Sequence, residues 1–243
     1  MKKIILVRHA TAVAKDPDKD DFNRSLRKKG RKEARAMAEW YRRVAELPDL
    51  FVSSPANRAI ETALLFAKEF GYPKKRIVLE EAIYGGFEPS ELLSFMKTLD
   101  DDYHSVMVFG HDPLFSEFAQ FIAKGFEDYL PKCSIFGVTT NRRNWSTIKR
   151  GDGRLEIFEY PAGLHQRLDL VKAVRNEMMD RIEKGILTVL EEFGIAGNDD
   201  DRMKIRRTGA KLAKSFAARA ALDNRGPDAK RPTKKVQSTE KTK

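Results

Sequence analysis

One cysteine, Cys133, in 243 residues removes two classes of protein at once. No intramolecular disulfide can form, and no cysteine-rich zinc module can be assembled. Long apolar runs are missing too. The longest clean one near the start, Ile4 to Val7, ends in Arg8-His9, too short for a signal-peptide core and far below the roughly 20 residues of a membrane span. A soluble, cytoplasmic protein without a membrane span is the expectation. There is no Walker-type glycine loop and no His-Glu-x-x-His spacing. Residues 202–243 contain one aromatic, Phe216, so they lack the interleaved rings on which nucleic-acid bases stack.

What is present fits a folded protein. Hydrophobic residues make up 41% and charged ones 34%, enough for a sizeable core at this length. The length suits one large domain, alone or with an appendage. The net charge of +10 is uneven: residues 202–243 hold 14 Lys/Arg and 3 Asp/Glu, and the remainder hold 32 and 33. The basicity belongs to a tail. Such a tail can attract nucleic acid, acidic lipid or an acidic protein, or simply keep the chain in solution.

Hydrophobic patterning predicts alternating strands and helices up to about residue 125. Ile4–Val7 reads as a strand buried on both faces. Ala34, Met37, Ala38 and Tyr41 give a helix after Gly30, ended by Pro48. Leu50–Val52 is a second strand, followed by Ser54-Pro55 as cap and first-turn proline of a helix that Gly71 stops. Arg76–Leu79 is a third candidate strand, and Pro89-Ser90 opens a short helix. Val106–Phe109 is a fourth strand, with Asp112-Pro113 read as another cap and first-turn proline. Ser134–Thr140 and Trp145–Tyr160 read as strands, the latter a hairpin split by Gly151-Asp152-Gly153. The pattern implies a largely parallel sheet covered on both faces, with antiparallel strands added at one edge.

Ligands of open parallel sheets bind beyond the carboxyl ends of the strands. Three of these ends deliver cationic or imidazole groups: Arg8-His9, then Ser53-Ser54-Pro55 with Arg58 in the following turn, then Gly110-His111. Two arginines and two histidines beside helix N-termini suit a doubly charged anion, with phosphate the obvious candidate. Flanking arginines would repel a zinc ion. His104 and His165 read as ordinary surface histidines.

These residues carry a family resemblance. Val7-Arg8-His9-Ala10 resembles the Arg-His-Gly signature of the histidine phosphatase (phosphoglycerate mutase-like) superfamily, with alanine in place of glycine. Ser53 to Thr62 and Gly110-His111 are similar to its second and third signatures, in register from residue 1 to about 160. Arg24-Ser25-Leu26 ahead of Gly30 is similar to a stretch of the SixA-like phosphohistidine phosphatases, without its proline and threonine. The resemblance implies a three-layer α/β/α sandwich and two-step phosphoryl transfer, with no metal or cofactor. His9 would be the nucleophile, Arg8 and Arg58 would neutralise the phosphoryl oxygens, and His111 would donate a further hydrogen bond. Glu81, in a loop resembling the acid-bearing loop of the mutases, would be the proton donor, and Arg24 would bind substrate. About 20 residues separate Glu81 from the strand at Val106, leaving no room for a long lid. That favours phosphohistidine on a protein; the alternatives are a small phosphorylated metabolite, or a phosphate-binding scaffold acting through its tail.

The resemblance covers a domain of residues 1–162. Residues 163–223 are expected to form a helical extension and residues 224–243 a disordered basic tail. Leu164, Leu168, Val171, Met178, Ile182, Ile186, Val189 and Phe193 mark one stripe of a long helix, suited to packing on the domain or to a dimer interface. After an acidic break and cap at Asn198–Asp201, Ile205, Leu212 and Phe216 face away from Lys204, Arg207, Lys211 and Lys214. This second helix could dock an anionic partner.

Overall fold

The computed structural model describes residues 1–18, 20–194, 200–201 and 203–212. The described residues separate into two units, residues 1–166 and those from Arg167 onward. The first unit is built on six strands: β1 (Lys2–Arg8), β2 (Leu50–Ser53), β3 (Val78–Leu79), β4 (Ser105–Gly110), β5 (Ile135–Thr140) and β6 (Arg154–Glu159). Their order is β3-β2-β4-β1-β5-β6. The first four are mutually parallel, and β5 runs antiparallel between β1 and β6. The expected edge of antiparallel strands is therefore present.

Alternation along the strands makes the three layers. Ile4 and Leu6 of β1 join one core with Val52, Val106 and Val108, while Ile5 and Val7 join the other with Phe51, Met107 and Phe109. Helices α3 (Pro89–Lys97) and α4 (Leu114–Ile122) cover the first face through Leu92, Met96, Phe115 and Phe118. Helices α1 (Lys28–Val44) and α2 (Asn57–Phe70) cover the second through Met37, Tyr41 and Phe66. Apolar residues pointing to both faces are what a parallel sheet between two helical layers requires. The fold is the expected α/β/α sandwich.

Local expectations differ from the structure in several places. Trp145–Thr147 is a 3-10 turn and not half of a hairpin. Trp145 is fully buried there, with its indole Nε1 donating to the Tyr103 carbonyl at 2.9 Å; a side chain anchored in the core overrides local strand propensity. The antiparallel pair is instead β5 with β6. Arg76 ends a 3-10 turn, and only Val78–Leu79 pairs with β2. Neither Ser54-Pro55 nor Asp112-Pro113 is cap plus first-turn proline, because α2 starts at Asn57 and α4 at Leu114. Their polar side chains serve the site instead. α1 stops at Val44, ahead of Pro48. Pro89 does open α3, behind a Glu88–Glu91 capping box, and Gly71 does end α2 in the left-handed conformation, φ 69°.

Helix α5 (Pro161–Glu192) has 32 residues. Its first turn belongs to the first unit, where Leu164 enters the core beside α1 and α2. In the second unit Leu168, Val189 and Phe193 of the stripe are exposed. Residues 203–212 are helical; Gly209 lies against Ile182, and Arg206 pairs with Glu183 at 3.0 Å. Asn198, Lys214, Phe216 and the expected disordered tail lie outside the described residues. No helix of the described residues is long and apolar enough to cross a membrane.

Candidate active site

Register brings the two histidines together. β1 and β4 are parallel with Arg8 opposite Gly110, so the next residues, His9 and His111, leave adjacent strands at the same level. The His9 amide donates to the Gly110 carbonyl at 2.9 Å, and the rings lie 5.1 Å apart. β2 pairs with β4 one step earlier, Ser53 opposite Phe109. That places Ser54 Oγ 2.8 Å from His111 Nε2 and sets α2, with Arg58, at the same end of the sheet.

The His9 tautomer follows from its contacts. Nδ1 lies 2.8 Å from the Ala10 carbonyl oxygen, which can only accept, so Nδ1 carries the proton and Nε2 keeps its lone pair. Burial lowers the pKa of His9 to about 4. The positive charges of Arg58, Arg8 and Arg24 push the same way, against the Ala10 hydrogen bond. His111 falls to about 3, chiefly through burial and then through Arg58 and His9. Both rings are neutral at pH 7. A neutral imidazole with one nitrogen tethered and the other free is a nucleophile in waiting.

Each arginine is held by a carboxylate. Arg8 Nη1 lies 2.9 Å from Asp112 Oδ2 and donates to the Leu130 carbonyl at 2.6 Å. Asp112 is fixed in turn by the Ser116 hydroxyl, 2.9 Å from Oδ1. Arg58 Nη2 and Arg24 Nε share the carboxylate of Asp21, at 2.9 and 2.8 Å. With the outer nitrogens so engaged, Arg8 Nε, Arg58 Nε and His111 Nδ1 are buried without a hydrogen-bond partner. Buried polar groups are rarely left unpaired. Two arginine nitrogens and one imidazole nitrogen orphaned near a neutral His9 fit an oxyanion.

Arg8, His9, Arg24, Arg58 and His111 thus come together in the structure. Glu81 does not touch them: it is exposed, on the 3-10 turn Glu81–Tyr84, and its side chain bonds to none of the described residues. From the same turn Tyr84 does reach the site, its ring 5.6 Å from that of His111 and 5.7 Å from the Arg58 guanidinium. Sequence reasoning passed over Asp21, Asp112, Ser54, Tyr84 and Thr62. Thr62 Oγ1 donates to the Arg58 carbonyl at 2.7 Å and accepts from the Ala10 amide at 3.1 Å, tying α2 to the nucleophile's loop. The available signal was chemical: a buried arginine needs a carboxylate, and Asp21 and Asp112 stand nearest in sequence to Arg24 and His111. Among the described residues no group of three or more His, Cys, Asp or Glu is gathered to hold a metal.

Residues 4–111, which contain all of these groups, match the family profile of the histidine phosphatase superfamily, branch 1. This match and the solved structures below support the histidine phosphatase superfamily, SixA-like branch. Its fold is shared with SixA from Agrobacterium tumefaciens at 25% identity and a TM-score of 0.55, over 66% of this chain and 98% of that one. The protein histidine phosphatase SixA in complex with tungstate gives 21% identity and a TM-score of 0.57, over 67% and 99%. SixA from Nakamurella multipartitia gives 20% and 0.54, over 66% and 96%. The C-terminal third of this chain has no counterpart in these neighbours. No curated protein matches the chain in sequence.

Proposed function

We propose that this chain is a histidine phosphatase that hydrolyses phosphohistidine on a protein, through a phosphorylated His9 and without a metal or cofactor. The observation that carries the reading is the lone pair of His9 Nε2, left free by the Nδ1 tether among unpartnered donors of Arg8, Arg58 and His111. In the first step Nε2 attacks phosphorus and the substrate's P–N bond breaks. The departing imidazole keeps the electron pair, its protonated form being a good leaving group. Arg8 and Arg58 take up charge on the phosphoryl oxygens. In this reading Ser54 donates to His111 Nε2, so that the proton of His111 sits on Nδ1 and bonds a phosphoryl oxygen. In the second step water attacks phosphorus, the Nε2–P bond breaks, and inorganic phosphate leaves.

Arg24 binds substrate from the rim in this reading, and Glu81 is the proton donor for leaving groups that need one. The SixA neighbour that binds tungstate, a tetrahedral oxyanion like phosphate, supports the anion site. The protein substrate is supported by the short path from the Glu81 turn to β4, which contains only α3. A site without a long lid admits a phosphoryl group displayed on a side chain.

The test is phosphate release in EDTA by the protein and by His9→Ala, from a phosphohistidine-bearing protein and from an aryl phosphate. Release that depends on His9, survives EDTA and favours phosphohistidine is expected. Preference for the aryl ester would transfer the reading to a small-molecule phosphomonoesterase. Absence of His9-dependent release from either would overturn it, and a role for the basic tail on a phosphate-binding scaffold would take its place.

A further inference from the structure

The most one-sided charge in the first unit lies on the first two turns of α1. Residues 27–35 hold six Lys/Arg and one Asp/Glu, whereas residues 1–166 as a whole hold 27 and 24. The single carboxylate, Glu33, is engaged by the Thr11 hydroxyl at 2.7 Å and by Lys29 at 3.7 Å. Arg31 pairs with Glu61 at 2.8 Å. Four cations remain, Arg27, Lys28, Lys32 and Arg35, all exposed and with no side-chain partner among the described residues.

Lys28, Lys32 and Arg35 stand at i, i+4 and i+7, so they form one stripe, turned away from the face that buries Met37 and Tyr41. At 1.5 Å per residue the stripe is about 10 Å long. The helix that carries it starts near the nucleophile's loop, with the stripe on its outer face. Gly30 of α1 sits so close to Thr11, two residues after His9, that an added Cβ would lie 2.1 Å from the Thr11 carbonyl oxygen. The Arg27 amide donates to that oxygen at 3.0 Å.

We propose that this stripe docks an acidic surface of the protein whose phosphorylated histidine enters the site, an inference that rests on the phosphohistidine reading. A small metabolite seated on His9 cannot also span three side chains along about 10 Å of helix; a protein can. Carboxylates at helical spacing on the partner would match the stripe, steer the encounter and fix its orientation. The stripe carries no aromatic residue for base stacking, which disfavours nucleic acid.

Two phosphohistidine peptides of equal length, one flanked by glutamates and one by glutamines, test this alongside free phosphohistidine. The full-length protein should favour the acidic peptide by about tenfold in kcat/KM, through KM, and lose the preference as salt rises. Lys28→Glu/Lys32→Glu/Arg35→Glu should reverse the preference while turning over free phosphohistidine at the original rate. Equal use of both peptides by the unaltered protein would overturn the proposal, as would an unchanged preference in the triple variant. Inhibition by single-stranded DNA of 20 nucleotides, relieved in the triple variant and far stronger than by the dephosphorylated acidic peptide, would assign the stripe to nucleic acid instead. If no phosphohistidine substrate is hydrolysed, the reading of the site fails, and fluorescence anisotropy of the labelled acidic peptide still judges the stripe: binding lost in the triple variant supports docking, and equal binding overturns it.

Discussion

Asp21 grips Arg58 twice. Its carboxylate Oδ2 lies 2.9 Å from Nη2, and its own backbone carbonyl accepts from Nη1 at 2.7 Å. The same carboxylate takes Arg24 Nε at 2.8 Å and the Tyr84 hydroxyl at 3.3 Å. Burial pushes the Asp21 carboxyl up, but Arg58, Arg24 and Tyr84 together hold it below the usual range. One residue from an irregular loop thereby orients two arginines and fixes the site's net charge.

Asp21→Asn keeps the backbone contact and removes the charge. Arg58, almost wholly buried, then loses its counter-ion, which should cost about 1–3 kcal/mol in urea unfolding. Catalysis should fall by about tenfold or more as Arg58 loses its orientation. Binding of inorganic tungstate, measured by calorimetry, should tighten, since the site gains a unit of positive charge.

Acid should weaken the fold before it titrates the native histidines. His9 and His111 have folded pKa values of about 4 and about 3, below the ordinary 6.5, so the unfolded chain binds more protons between those limits. Stability is therefore flat, for these groups, above pH 6.5 and declines as pH falls toward 4. The slope reaches about 1.4 kcal/mol per pH unit for each imidazole. Urea midpoints from pH 7.5 to 4.5 should show this, and His9→Gln should remove roughly half of the two-histidine contribution.

Gly30→Ala sets helix propensity against packing. Alanine gains about 1 kcal/mol over glycine in a helix, but its Cβ would meet the Thr11 backbone oxygen at 2.1 Å. Overpacking against backbone costs about 1–3 kcal/mol or more, so the variant should unfold earlier. Displacement of Thr11 should also lower kcat, because the shift is passed to His9 two residues away.

Glu81→Gln should act according to the leaving group. Hydrolysis of an alkyl phosphate, whose alkoxide needs a proton, should slow by about 10²-fold or more. Release from phosphohistidine should change only by a small factor. Equal loss on both substrates would remove Glu81 from the role of proton donor.

The sequence by itself determined the scaffold and the reacting groups. Short doubly buried strands such as Ile4–Val7 and Val106–Phe109, alternating with helical patterns, imply a covered and largely parallel sheet, and strand ends in such a sheet carry the ligand site. Arg8, His9, Arg58 and His111 were therefore legible, because local pattern fixes where each strand stops. Tertiary structure alone decided which atoms face one another. The β1–β4 register set the histidines abreast, and the Ala10 carbonyl chose the His9 tautomer. Asp21, Tyr84 and Asp112 reached the arginines from loops and turns without any periodic signal. Trp145 became a buried turn for the same reason: its fate depended on the Tyr103 carbonyl, 42 residues earlier in the chain. Periodicity encodes the face a residue presents, whereas an ion pair across 37 residues, such as Asp21 with Arg58, exists only once the fold has closed.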